Sequence, residues 1–279
     1  MATQHPSDAL FNQAIAAIDR GDPRKLADLI DVHPGLVHHR TDWHDAPCGG
    51  YFREPYLMWF VAENPIRNRK LPANIAVVTQ TIIDAAKRHK VTKLKEQLGY
   101  TLALVVSGCV ARECGVQRAL IDVLVDAGAD PNCMEPALSH REIDAVERLI
   151  ERGAAVTLSV AAATGRMVQL RQLLPDATDD QRLAALAFAA VNAQPDACRL
   201  LLEQGVNPSR YNPQYCHPHS TPLHQAVWTG SLAAVQAMVT HGADLTMRDR
   251  VHNATPLGWA EHGGRHEIAA YLREKGGEV

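Results

Sequence analysis

Residues 221–226 read Thr-Pro-Leu-His-Gln-Ala, and residues 255–260 read Thr-Pro-Leu-Gly-Trp-Ala, 34 positions further on. The same interval separates Gly242, in His-Gly-Ala-Asp-Leu, from Gly276, in Glu-Lys-Gly-Gly-Glu. A repeat of this length decides the fold, because one such unit cannot bury its own apolar face and copies must stack. Inside one copy, PLHQAVWTG and LAAVQAMVTHG predict two short helices, followed by the irregular loop ADLTMRDRVHNA. Thr221 is placed to cap the first helix, with Pro222 in the first turn, where its missing amide proton costs nothing. Gly230 ends that helix, and Gly242 ends the second in a left-handed conformation. The small side chains of Ala226, Ala233 and Ala234 let neighbouring layers come close.

The Thr-Pro-Leu-His-x-Ala start and the Gly-Ala-Asp end resemble the ankyrin repeat. Weaker copies run backward from them: the repeat endings LLEQGVNP (201–208), LIERGAAV (149–156) and VDAGADPN (125–132), and the helix–turn–helix cadence of 161–174, 99–108 and 14–37. The resemblance covers nearly the whole chain. It implies an all-α ankyrin-repeat solenoid of about eight stacked helix–turn–helix units, each about 33 residues long. It also implies a single domain over 1–279, with degenerate repeats in 1–100, central repeats in 101–204 and regular repeats with a cap in 205–279. Such a domain is expected to bind another protein through its loop tips and inner helices.

Composition agrees. The chain of 279 residues is 46% hydrophobic but only 5% aromatic, which suits thin helical layers rich in Ala, Leu, Val and Ile. A net charge of −3 gives no global pull toward nucleic acid or an anionic membrane. Six scattered cysteines without a Cys-x-x-Cys pair fit a reducing compartment. MATQHPSDALFNQ has no basic segment leading into an apolar one, and the longest apolar stretches, such as TLALVVSGCVA, are too short to span a bilayer. The expectation is a cytoplasmic protein with no membrane partner and no cofactor.

Departures from the repeat locate function. The stretch 38–56 is loop-like and rich in Gly, Pro, polar and aromatic residues, and offers Trp43, His44, Tyr51 and Arg53 as partner contacts. The loop 205–220 is longer than its counterpart: Thr221 follows Gly205 by 16 positions, whereas Thr255 follows Gly242 by 13. It gathers Tyr211, Tyr215, Cys216, His217 and His219 between prolines 208, 213 and 218. Cys216, His217 and His219 are chemically able to hold zinc, but they lack a full ligand set, so no metal is expected. The stretch 64–98 carries Arg67, Arg69, Lys70, Lys87, Arg88, Lys90, Lys93 and Lys95 against Asp84 and Glu96. Without accompanying aromatics it reads as a solvated face, which disfavours nucleic acid.

No nucleophile elbow, phosphate loop or His-Glu-x-x-His motif is present. His224, at the repeat's histidine position, is expected to tie its own turn to the next repeat. The remaining contact candidates are Tyr211, Tyr215, His217, Trp228, Arg248, Asp249 and Trp259, because rigid aromatics and Arg carry most interface energy. Packing between layers is the competing role for Trp228 and Trp259. The alternative function is a small-molecule binder or enzyme with a His/Tyr/Trp/Asp-lined pocket near residues 211–262, in which His217, His219 and Asp249 would be the catalytic candidates.

Overall fold

The computed structural model describes residues 5–40 and 54–279, and every regular element among them is helical. The chain divides into two compact units, one of residues 1–137 and 144–154, the other of residues 138–143 and 155–279.

In the first unit, the helix Asp8–Arg20 begins at Ser7, whose hydroxyl accepts the Leu10 amide, and ends at Gly21. Its buried Phe11 meets Phe60 edge to face, with ring centroids 5.7 Å apart. Phe60 belongs to the 3₁₀ segment Leu57–Ala62, all of whose side chains are buried. This segment has no counterpart in the repeat. Glu63 follows it into the interior, where its carboxylate accepts the backbone amides of Arg67 (2.8 Å), Asn68 and Arg69 (3.0 Å). The Arg67 guanidinium pairs with Glu63 at 2.8 Å and with Asp19 at 2.9 Å. Arg67 thus departs from the expected solvated face: an irregular turn needs internal acceptors for its amides, and the buried carboxylate that supplies them needs a cation. Arg88 and Lys93 do lie on the surface, paired with Asp31 and Glu96.

The second unit carries the regular repeats. Four helix pairs follow one another: Leu158–Ala163 with Met167–Leu173, Asp179–Val191 with Pro195–Glu203, Pro222–Thr229 with Leu232–Thr240, and Pro256–His262 with His266–Glu274. First helices pack on first helices and second on second. The core between them is largely small: Ala161, Ala162, Ala185, Ala189, Ala226, Ala234, Ala260 and Ala269 are all buried, with Leu and Val filling the remaining space. Thr221 caps its helix with Pro222 in the first turn, as expected, and Thr255 and Pro256 do the same in the next copy. Each pair turns through a left-handed residue: Gly165, Ala193, Gly230 and Gly264, with φ of 68°, 53°, 76° and 64°. The segment Leu138–Ile143 lies against this unit, the Asn192 side-chain amide donating to the Leu138 carbonyl at 2.9 Å.

Candidate functional site

Two loops of the second unit are joined across successive repeats. The Tyr211 hydroxyl donates to the Arg248 carbonyl at 2.8 Å, the Arg250 amide donates to the His219 carbonyl at 2.7 Å, and the Arg250 guanidinium lies 3.7 Å from the centre of the Tyr211 ring. Each loop also closes on itself. Asn212 donates its amide to the Ser220 carbonyl, and Asp249 donates its own to the Ala254 carbonyl, both at 2.9 Å.

Asp249 is 2% exposed. One carboxylate oxygen accepts the amides of Val251 (2.9 Å) and His252 (2.7 Å); the other accepts the amide of Ala254 and the indole N–H of Trp259, each at 3.0 Å. Burial works against the charged form, but these four donors outweigh it and hold the carboxyl far below the ordinary aspartate range. Every lone-pair direction it needs is occupied. Asp249 therefore shapes the loop and fixes Trp259, and its carboxylate makes no hydrogen bond to an imidazole among the described residues.

His224 is fully buried. Its Nε2 lies 3.1 Å from the Ala254 carbonyl, which only accepts, so that nitrogen carries the proton. Nδ1 then accepts from the Thr221 hydroxyl at 2.8 Å. Burial lowers the pKa, against the opposing pull of the Ala254 bond and the Asp249 charge. The histidine ties two repeats together, as expected.

Between these loops and the first helices lies a cavity of about 660 Å³. Its wall is formed by Ser139, His140 and Arg141, by Val191, by His217 and His219 of the long loop, by Gln225, Trp228 and Thr229, by His252 and Ala254, and by Gly258, Trp259 and His262. The repeat geometry accounts for this convergence. Ser139, Val191, Trp228 and His262 each stand two residues before the left-handed position of an inter-helix turn, at Arg141, Ala193, Gly230 and Gly264. At the third helical position the first copy has His224 and the second has Gly258, so no side chain fills the wall there. Trp259 packs edge-on to His224 (5.1 Å) and to Trp228 (6.0 Å), and His219 tilts over it at 6.1 Å. His217 donates Nε2–H to the Ser139 carbonyl at 3.0 Å. Burial and the neighbouring His217 lower the pKa of His219, with Asp249 opposing and His252 adding to the shift.

Of the residues singled out in the sequence, His217, Trp228 and Trp259 line this cavity, as does His219. Tyr215, on the same long loop, is 54% exposed, its ring stacked 6.2 Å from Phe188. Tyr211 and Arg248 are committed to joining the loops, and the Arg248 guanidinium also donates to the Asn253 carbonyl at 2.8 Å. Cys216 is buried, which pushes its thiol up to about 12. Among the described residues no three His, Cys, Asp or Glu side chains are grouped to hold a metal ion. Trp43, His44, Tyr51 and Arg53 lie outside the described residues.

His140 and Arg141 are not singled out by the sequence reading, although aligning the turns of successive copies brings Arg141 into register with Ala193, Gly230 and Gly264.

A family model described as ankyrin repeats matches residues 109–249 in three copies. The chain belongs to the ankyrin-repeat family. Ankyrin repeats are protein-interaction modules, and the curated relatives are ankyrin proteins as well. The cyclin-dependent kinase 4 inhibitor B of Bos taurus is 29% identical over 130 residues, 45% of this chain and 96% of that protein. The ankyrin repeat and SAM domain-containing protein 6 of Rattus norvegicus is 42% identical over 60 residues, 22% of this chain; its counterpart in Mus musculus shows the same figures. The chain covers only 7% of the length of these last two proteins. In this ankyrin chain no helix among the described residues is long and apolar enough to cross a membrane.

Proposed function

We propose that this ankyrin chain binds a partner protein on the face of its second unit where the first helices and the loops 205–220 and 245–254 meet. The observation that supports this is the placing of Trp228. It is 51% exposed at the edge of a cavity, yet held from beneath by Trp259 and through its carbonyl by Arg265, which donates at 2.8 Å. A large aromatic that is positioned by its neighbours and still open to solvent loses little entropy on association. Tyr215 offers a second such ring on the same loop system.

The test compares affinity capture by the wild-type chain and by a Trp228→Ala/Tyr215→Ala variant. The expected outcome is one or more proteins retained by the wild type and lost by the variant, with the melting temperature of the variant unchanged to within a few degrees. Equal retention by both chains would remove this face from the reading.

A further inference from the structure

Every ionisable side chain that lines the cavity of the second unit is a histidine or an arginine: His140, Arg141, His217, His219, His252 and His262. No carboxylate joins them. Asp249 stands behind the wall with both oxygens saturated, and Glu261 pairs with Arg273 at 2.5 Å. The Arg141 guanidinium makes no ion pair among the described residues, and the imidazoles of His219, His252 and His262 find no hydrogen-bond partner among them. The remaining wall is largely apolar, with Trp228 and Trp259 as its largest faces. At about 660 Å³ the space is far larger than an ion and remains open on one side, so that a chain segment can enter and leave.

We propose that this cavity seats an acidic segment of the partner protein, one carboxylate held among the imidazoles and Arg141 and the adjoining apolar side chain laid on Trp228 and Trp259. This rests on the reading of the chain as a protein-binding module and names the chemistry of what it binds. Arg141, His252 and His262 are exposed and His219 is half-buried, and cationic and N–H donors gathered in this way around an apolar wall pair with a ligand that only accepts, which a carboxylate does with charge-assisted bonds. Arg141 owes its position to backbone geometry: it occupies the left-handed residue of an inter-helix turn, with φ of 62°, where the neighbouring turns use Gly or Ala.

The charge balance makes the affinity depend on pH. The groups facing the site are His140 and Arg141 from the 138–143 segment, His217 and His219 from the long loop, His252 with Asp249 and Arg250 from the next loop, Glu261 and His262 from the helix Pro256–His262, and Arg265 beyond it. Burial holds the His219 imidazole below the ordinary histidine value of about 6.5, whereas the Asp and Glu side chains of a bound peptide stay ionised down to about pH 5. A proton gained by an imidazole beside the seated carboxylate therefore tightens binding as pH falls.

The test is selection of random dodecapeptides displayed on phage against the full chain, followed by affinity measurement of the recovered peptides by calorimetry. The expected consensus is Asp or Glu next to an aromatic or aliphatic residue. Amidating that carboxylate should weaken binding about tenfold, as should Arg141→Ala, and affinity should rise several-fold from about pH 8 to about pH 6. The blocking variant is Gly258→Leu. A Cβ at this helical position meets only Ala254 Cβ at 3.5 Å, Thr255 Oγ1 at 3.7 Å and Val279 Cγ1 at 3.9 Å, so the wall accepts it and the cavity shrinks. It should abolish peptide binding with no loss of thermal stability; Trp228→Ala provides a second variant whose fold does not depend on position 258. Peptides without acidic enrichment, or acidic peptides bound equally well by Gly258→Leu and Arg141→Ala, would overturn the proposal while leaving the protein-binding reading intact. Recovery of no peptide would overturn it too, and the affinity-capture comparison of wild type and Trp228→Ala/Tyr215→Ala would then decide the wider reading separately.

Discussion

Asp249 shows how far a single side chain's role depends on its donors. Its letter in the sequence, next to Arg248 and ahead of His252, suits a catalytic acid or a surface contact equally well. The structure assigns all of its acceptor capacity to four N–H groups, three of them backbone amides that among the natural residues only proline would remove. Asp249→Asn replaces one carboxylate oxygen by an NH₂ group that faces donors instead of accepting from them. The expected cost is about 1–3 kcal/mol of stability, measured by urea denaturation of the purified chain. Trp259 fluorescence should change with it, since the indole N–H loses its acceptor. A variant as stable as the wild type would mean that the loop closes without these bonds.

At the scale of elements, the turns between paired helices were legible wherever glycine marks them. Gly230 and Gly264 supply the left-handed residue without a Cβ, and the helices on either side begin and end as their capping residues dictate. The pair Asp179–Val191 and Pro195–Glu203 solves the same problem with Ala193 at φ of 53°. A Cβ in that conformation crowds the following carbonyl, at about 1–2 kcal/mol, part of which glycine would return as chain entropy in the unfolded state. Ala193→Gly is therefore expected to stabilise the protein by about 0.5–1 kcal/mol, raising the melting temperature by about 1–3 °C in a calorimetric scan. A fall would show that the methyl group's packing outweighs the strain it causes. The same reasoning explains what stayed hidden. The 3₁₀ segment Leu57–Ala62 is apolar on every side and carries no period, and the buried Glu63 after it has a purpose only once the three amides of the irregular turn at Arg67, Asn68 and Arg69 converge on it. Arg141 was masked in another way, since a charged residue at a turn reads as solvated until the turn is placed beside other repeats.

At the scale of the molecule, the regular C-terminal repeats declare themselves because stacking repeats one solution: a capped first helix, a left-handed turn, a second helix and small residues between layers. The cavity could be anticipated only in part, because it is assembled from positions far apart in sequence whose shared feature is their register within the repeat. The histidines that the fold buries wholly, as His224, or in part, as His38 and His219, also set its response to acid. His38, His219 and His224 all have lowered pKa values, burial being the first cause in each case, reinforced by neighbouring histidines. The folded chain thus holds these groups neutral at a pH where the unfolded chain protonates them. Protons bind preferentially to the unfolded state as pH falls below the ordinary imidazole value of about 6.5, and stability declines between about pH 7 and pH 5. Asp249, whose folded pKa is depressed, contributes stability that is fully present above about pH 4 and is lost as pH falls further. Melting temperatures followed from pH 8 to pH 3 should therefore fall in two stages, both toward acid. In His224→Gln the first stage should shrink relative to the wild type, because the amide keeps a donor for the Ala254 carbonyl and an acceptor for the Thr221 hydroxyl without offering a site for the proton. An unchanged first stage in that variant would assign the acid response to other groups and leave His224 a purely structural link between repeats.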